Sequence, residues 1–226
     1  MSGQPAVMTI DGPGGAGKGT IAREIARVLG WHLLDSGAIY RLLALASLRD
    51  GIDPGASARL AERAEALDIG FVVEGDQAGA ALLDGEMVAD AIREEACGER
   101  ASVLAADPRI REALKARQRA FRQLPGLVAD GRDMGTVIFP DAPVKIFLTA
   151  SVEERARRRH KQLMEQGVTA NLNDLMQELQ ARDERDSRRE TAPLKPAEDA
   201  VTVDTTEQSI DAVVQTVMER VDARLR

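Results

Sequence analysis

A single cysteine, Cys97, stands among the 226 residues, so the chain can form neither an intrachain disulfide nor a zinc site built on cysteines. A reducing, cytoplasmic setting is the expectation that follows. Aromatic residues are scarce too, at 3% of the sequence with 1 Trp, 1 Tyr and 4 Phe. Positive charge is not in excess either: Lys and Arg number 30 against 37 Asp and Glu, a formal net charge of −7. With few rings to stack on bases and no positive field to condense on phosphates, nucleic acid is not an expected partner. Any affinity for phosphate has to come from local groups. No apolar run reaches membrane-spanning length, and the first one, near the start, is only as long as a strand and has no charged leader before it. Neither a membrane anchor nor a secretory leader is expected.

Directly after that first apolar stretch, Ala6-Val7-Met8-Thr9-Ile10, residues 12–20 read GPGGAGKGT. The glycines let the backbone turn tightly with its N–H groups pointing inward, and Lys18 adds a charge at the start of a helical pattern. A GxxxxGK run between a strand and a helix is a phosphate cradle. Phosphate loops commonly carry Ser or Thr immediately after the lysine, where the hydroxyl binds magnesium. Here that place is Gly19 and the hydroxyl comes one residue later, at Thr20. This ending resembles the one found in nucleoside-monophosphate kinases rather than in GTPases or motor ATPases. The absence of an NKxD run, which would read guanine, agrees.

Further strand-length apolar runs at His32 to Leu34, Gly126 to Ala129, Val144 to Leu148 and Ala200 to Val203 alternate with helical patterns. That alternation predicts an α/β fold with a parallel sheet covered on both faces and the site along the carboxyl ends of its strands. Residues 68–89 depart from it. Ile69-Gly70-Phe71-Val72-Val73, Ala80-Ala81-Leu82-Leu83 and Met87-Val88 are short and separated by Gly-Asp and Asp-Gly turns, which predicts a small antiparallel meander. It is either a decorative loop or a flap over substrate. Helices are predicted on either side, from Ala56 to Leu67 and from Ala91 to Ala106.

Two charge-dense helices are predicted later, from Ser151 to Gln166 and roughly from Asn173 to Arg189. Ser151 is placed to cap the first, with glutamates in its opening turn, and Pro193 and Pro196 close the segment. Such helices are ordinarily solvated faces. Beside a phosphate loop they become candidates for an arginine-bearing lid.

The segments GPGGAGKGT, HLLDSGAIYR, DPRIREALKARQRAF, VADGRDMGTVIFPDAPVKIFL and ARDERDSRRETAPL together resemble the bacterial cytidylate kinase family along nearly the whole chain. ADGRDMGTVIFPDA is the most distinctive. The resemblance implies a three-layer P-loop kinase fold with a parallel central sheet, a small antiparallel insertion in the monophosphate-binding region and a helical lid. It implies one domain, with a core of 1–66, 107–150 and 195–226, an insertion at about 67–106 and a lid at about 151–194. A monomer is expected. The implied activity is transfer of the γ-phosphoryl group of ATP to CMP or dCMP, with Mg2+, in pyrimidine nucleotide metabolism.

The same resemblance implies the site. Gly12, Pro13, Gly14, Gly15, Ala16, Gly17, Lys18, Gly19 and Thr20 would hold the ATP phosphates, with Lys18 reaching toward the group in transfer. Ser36, Gly37, Tyr40 and Arg41, in DSGAIYR, would serve the acceptor, Arg41 meeting the CMP phosphate. Tyr40 taken alone reads equally as packing. Arg132 would bind the acceptor phosphate, while Asp133, Ser102 and Arg111 would face cytosine. Without the family, Ser102 and Arg111 read as parts of plain amphipathic helices. Arg182 and Asp186, four apart, read either as an intrahelical salt bridge or, by the resemblance, as contacts to the sugar hydroxyls. Arg189 would reach the acceptor phosphate, and Arg158 and Arg159 would close over ATP. Asp130 could hold magnesium through water. His32 and His160 need no role in such chemistry.

Overall fold

The computed structural model describes residues 4–71, 81–165 and 167–225. Strand β1 (Ala6–Asp11) leads through the glycine-rich loop into helix α1 (Lys18–Leu29), and β2 (His32–Asp35) runs straight into α2 (Ser36–Arg49). Helix α3 (Ser57–Glu65) precedes a small sheet of β3 (Ile69–Phe71), β4 (Ala81–Leu83) and β5 (Glu86–Met87). A 3-10 turn at Ala91–Arg93, α4 (Glu95–Leu104) and α5 (Pro108–Arg119) follow. The remaining elements are β6 (Gly126–Gly131), a π-helical turn at Met134–Ile138, β7 (Val144–Thr149), α6 (Val152–Glu165), α7 (Leu172–Ser187), β8 (Val201–Asp204) and α8 (Ile210–Leu225).

The main sheet has the order β2-β6-β1-β7-β8. Strand β1 is parallel to β6 and β7, and β7 to β8. Its strands are apolar on both faces because both faces are covered: Val7 and Met8 are alike 0% exposed although they point in opposite directions. On one face Met8, Ile10, Val128 and Ile146 pack with Ile21 and Ile25 of α1 and Val213 and Val217 of α8. The register sets Ile10 beside Asp130 and Asp11 beside Gly131. The phosphate loop and the chain after β6 therefore leave the sheet at one edge. No helix among the described residues is long and apolar enough to cross a membrane.

The described residues divide into two compact units, one of residues 4–34, 119–165 and 167–225 and the other of residues 35–71 and 81–118. In the second, Leu42, Leu60, Leu83, Ile110 and Leu114 form a buried interior. The antiparallel meander is present there, with Ile69 opposite Leu83 and Leu82 opposite Met87; Val72, Val73 and Ala80 lie outside the described residues. Its Asp84-Gly85 turn has φ of 51° and 79°, the pair of positive values that a two-residue hairpin loop requires. Arg63 bonds to Asp50 (2.8 Å) and Asp84 (2.9 Å), which links this turn to the end of α2.

Two elements differ from the sequence expectation. The helix predicted from Ala91 to Ala106 is broken at Glu94, whose ψ of 144° is extended, so a 3-10 turn and α4 replace one continuous helix. The π-helical turn was not anticipated. In it the Ile138 and Phe139 N–H groups bond five residues back, to Asp133 O (3.2 Å) and Met134 O (2.7 Å). The lid helices form close to the predicted bounds, Gln166 lying outside the described residues, and the Glu154 N–H donates to the Ser151 hydroxyl (3.2 Å) as a cap.

Candidate active site

The phosphate loop is held open by its glycines. Gly12 has φ +148°, and a Cβ there would stand 2.0 Å from the Leu148 carbonyl oxygen, so no other residue fits. Gly17, with φ 89°, starts α1, and its carbonyl accepts from the Thr20 and Ile21 N–H groups, both at 3.1 Å. Lys18 lies beneath the loop, 6% exposed, and donates to the Pro13 carbonyl at 2.9 Å. The Asp130 carboxylate is 4.0 Å away, too far for a hydrogen bond. Burial pushes the Lys18 ammonium down to about 8, the Arg132 charge adding to the shift and Asp130 opposing it.

Arginines of the same unit come over this loop. A Cβ placed on Gly14 would lie 3.6 Å from Arg132 Nη2 and 3.9 Å from Arg182 Nη1; one on Gly17 would lie 3.7 Å from Arg158 Nη1. The loop thus meets the chain after β6 and both lid helices. Arg132 also donates to Asp186 (3.0 Å), which is 1% exposed and pairs with Arg189 as well. Burial acts to raise the Asp186 carboxyl, but the charges of Arg132, Arg189 and Arg182 outweigh it and leave the group below the usual carboxylate range. Asp186 stays ionised and holds these guanidiniums together. Neither sequence reading of Asp186 included its ion pair with Arg132, 54 residues away in sequence.

Asp133 follows Arg132, is 3% exposed, and accepts through its carbonyl from Val137 N–H (2.9 Å) at the start of the π turn. Asp11, the last residue of β1, accepts from the Met134 and Gly135 N–H groups, both at 2.8 Å. Its carboxyl is pushed up to about 6 by burial, against those two hydrogen bonds.

Arg158 is turned to Glu154 (2.9 Å) and to the Thr205 hydroxyl (3.1 Å), while Arg159 faces Gln162 on its own helix (3.2 Å). Sequence reasoning missed their neighbour Arg155. That residue is 3% exposed, donates to Gly14 O (3.0 Å) and Ala150 O (3.1 Å), and forks onto Asp183 of α7. It fastens the start of α6 to the phosphate loop. The Ser151 cap, which fixes where α6 begins, was the available signal for its direction.

The other predicted residues lie in the unit Asp35–Gln118. The Asp35 carboxylate caps α2 by accepting from Ala38 N–H (2.9 Å), which sets Ser36, Gly37, Tyr40 and Arg41 on its first turns. Ser36 donates to Gln118 (2.7 Å), a partner the sequence did not reveal. The Arg111 guanidinium lies 5.9 Å from the centre of the Tyr40 ring and donates to Ala105 O (3.0 Å). Arg41 donates to Ile92 O (2.9 Å) beside Gly98 of α4. Ser102, on α4, is 4% exposed.

Among the described residues no three His, Cys, Asp or Glu side chains stand together as a metal cage. A Cβ on Gly19 would lie in ordinary contact with Asp130 Oδ2 (3.5 Å) and Arg23 Nη1 (3.7 Å). A magnesium ion bound mainly by phosphates and water needs no more protein than this.

A cytidylate kinase family model matches residues 8–223. A cytidylate kinase of Aeromonas hydrophila is 57% identical over 219 residues, covering 97% of this chain and 95% of the relative. One from Pseudomonas aeruginosa is 56% identical, covering 96% of each, and one from Vibrio vulnificus is 53% identical over 225 residues, covering 100% of this chain and 99% of the relative.

Proposed function

This chain belongs to the cytidylate kinase family, and from that premise we propose that it transfers the γ-phosphoryl group of ATP to CMP or dCMP, giving ADP and CDP or dCDP. The observation that carries the reading is the convergence of Arg132 and Arg182 on the Gly14 backbone above a buried Lys18. It is a site crowded with positive charge and built to receive several phosphate oxygens.

Phosphoryl transfer passes through a loose transition state, so the protein's work is positioning and charge neutralisation. In this reading residues 12–20 seat the ATP phosphates by their N–H groups, and Lys18 exchanges its bond to Pro13 O for one to the transferring group. Arg132 and Arg189, held by Asp186, orient the acceptor phosphate; Arg41 is a further candidate for it. Arg158 and Arg159 serve the donor phosphates as lid residues, with Arg155 fixing the lid's root. Asp133, Ser102 and Arg111 read the cytosine, the carboxylate accepting from its exocyclic amine, and Arg182 and Asp186 also serve the sugar hydroxyls. Ser36, Gly37 and Tyr40 shape the acceptor side. Mg2+ bound with ATP would supply charge neutralisation between the phosphates, with Thr20 and Asp130 as the protein oxygens nearest in role. The enzyme would act in the cytoplasm as a monomer.

A coupled assay of ADP release with CMP, dCMP, UMP and AMP tests the reading. Turnover with CMP and dCMP well above the other two is expected. Preference for UMP or AMP would reassign the acceptor, and ATP binding with no acceptor-dependent turnover would leave only a nucleotide-binding module.

A further inference from the structure

Asp11 takes no part in the roles above, yet it is a nearly fully buried carboxylate at the point where the phosphate loop leaves the sheet. Beside it, at the same level of the neighbouring strand, is Gly131, after which the chain turns out through Arg132 and Asp133. The first N–H groups of the π turn, on Met134 and Gly135, have no carbonyl of that turn to bond. Both carboxylate oxygens of Asp11 accept them, one each at 2.8 Å.

The turn is also pressed onto β1. A Cβ on Gly135 would stand 2.8 Å from the Thr9 hydroxyl oxygen and 3.3 Å from Asp11 Oδ2. Met134 folds back so closely that a Cβ on Gly131 would meet its side chain at 2.8 Å. The 131–135 backbone therefore has little room to sit elsewhere while the two bonds to Asp11 persist. Only an ionised carboxylate accepts at both oxygens; an amide accepts at one and presents N–H to the other donor.

We infer that Asp11 is a positioning residue: by clamping Met134 and Gly135 it fixes the turn that carries Arg132 and Asp133, and so holds the acceptor-binding residues in register with the phosphate loop. The inference rests on the reading of Arg132 and Asp133 as acceptor contacts. Burial that pushes this carboxyl up to about 6, with the Asp133 charge a further contribution, shows that the anion is kept there at a cost that an apolar residue would avoid. Its charge ranks behind burial, Arg132, Asp130 and Arg182 among the influences on Lys18. Its effect should consequently fall on the acceptor side rather than on ATP.

The test compares D11N, D133A and the double variant, each with KM for ATP and CMP, kcat/KM for CMP over UMP, and a melting temperature. D11N is expected to raise KM for CMP and to lower the CMP to UMP ratio by about tenfold each, the scale of one buried hydrogen bond lost, with KM for ATP within about twofold. Added to D133A, it should lower the CMP to UMP ratio by less than about threefold more, because both act through one turn. A rise confined to KM for ATP, full additivity, or a lower melting temperature with unchanged constants would overturn the inference. If D133A leaves the CMP to UMP ratio unchanged, the reading of Asp133 fails separately. The Asp11 inference is then decided through Arg132 by KM for CMP alone, a rise supporting it and no rise overturning it. Should D11N not fold, Gly135→Ala, which pushes the turn off β1 with the Asp11 charge intact, has to produce the same split between CMP and ATP.

Discussion

The sheet region buries two lysines, and they keep different company. Lys145, near the start of β7 and 9% exposed, donates to Pro140 O at 2.7 Å and to the Asp199 carboxylate at 2.9 Å. That bond is also the main reason the Asp199 carboxyl lies below its ordinary range. Lys18, at the carboxyl end of the strands, has a carbonyl at 2.9 Å but its nearest carboxylate, Asp130, only at 4.0 Å, with Arg132 and Arg182 adding like charge. Lys145 is paired and structural. Lys18 has only the more distant Asp130 and, more weakly, Asp11 to offset the charges of Arg132 and Arg182.

The linkage has a definite sign. Because the folded chain lowers the Lys18 pKa from 10.5 to about 8, the stability this group contributes is present above 10.5 and is lost as pH falls through about 8. At neutral pH its charge is carried at the expense of the fold. The phosphate-loop end of the sheet is thus electrostatically loaded, whereas the Lys145 region is neutralised in place.

The largest effect that could break this contrast is Lys18→Ala. It should lower kcat by about two to three orders of magnitude, the scale of one preorganised charge in a closed site, with the melting temperature within about 3 °C of the parent. Near-normal turnover would remove Lys18 from the chemistry. Next comes Asp133→Ala, expected to reduce kcat/KM for CMP by about tenfold or more relative to UMP; equal losses on both acceptors would make Asp133 structural. The pH profile sharpens the comparison further. In the free enzyme kcat/KM for ATP should fall above about pH 8 by about tenfold per unit as Lys18 loses its proton, and this limb should be missing in Lys18→Ala. A limb that survives the substitution belongs to another group. The smallest effect on turnover is expected for Lys145→Met, which keeps the methylenes against Gly135 but removes the charge: kcat within about twofold, and stability lower by about 1 to 3 kcal/mol by denaturant titration. A large loss of kcat would mean that the two lysines are not different in kind.

Much of this architecture is legible in the residues. Gly12, Gly15 and Gly17 are glycines because their φ values are positive, and the Asp84-Gly85 turn is written in its two residues for the same reason. The parallel strands announce themselves as continuous apolar runs because both faces are covered. What escaped the sequence depends on tertiary partners or on unusual periods. The π turn at Met134–Ile138 bonds with a five-residue step that leaves no 3.6-residue pattern to find. In the arginine-rich run of α6, which guanidinium faces the loop depends on the helix phase, and it is Arg155 that is buried on Gly14 and Asp183. Asp186 offered Arg182 as its local partner, but the ion pair with Arg132 spans 54 positions. The acceptor residues named by resemblance were legible as a motif, not as chemistry: without the family, Ser102 and Arg111 read only as helix positions.

The most direct measurement follows the phosphoryl group itself. With ATP labelled on its γ-phosphate and an equimolar mixture of CMP and UMP, the wild-type chain should place nearly all the label in CDP, one equivalent for each ADP formed. Label recovered as inorganic phosphate, or chiefly in UDP, would contradict the account.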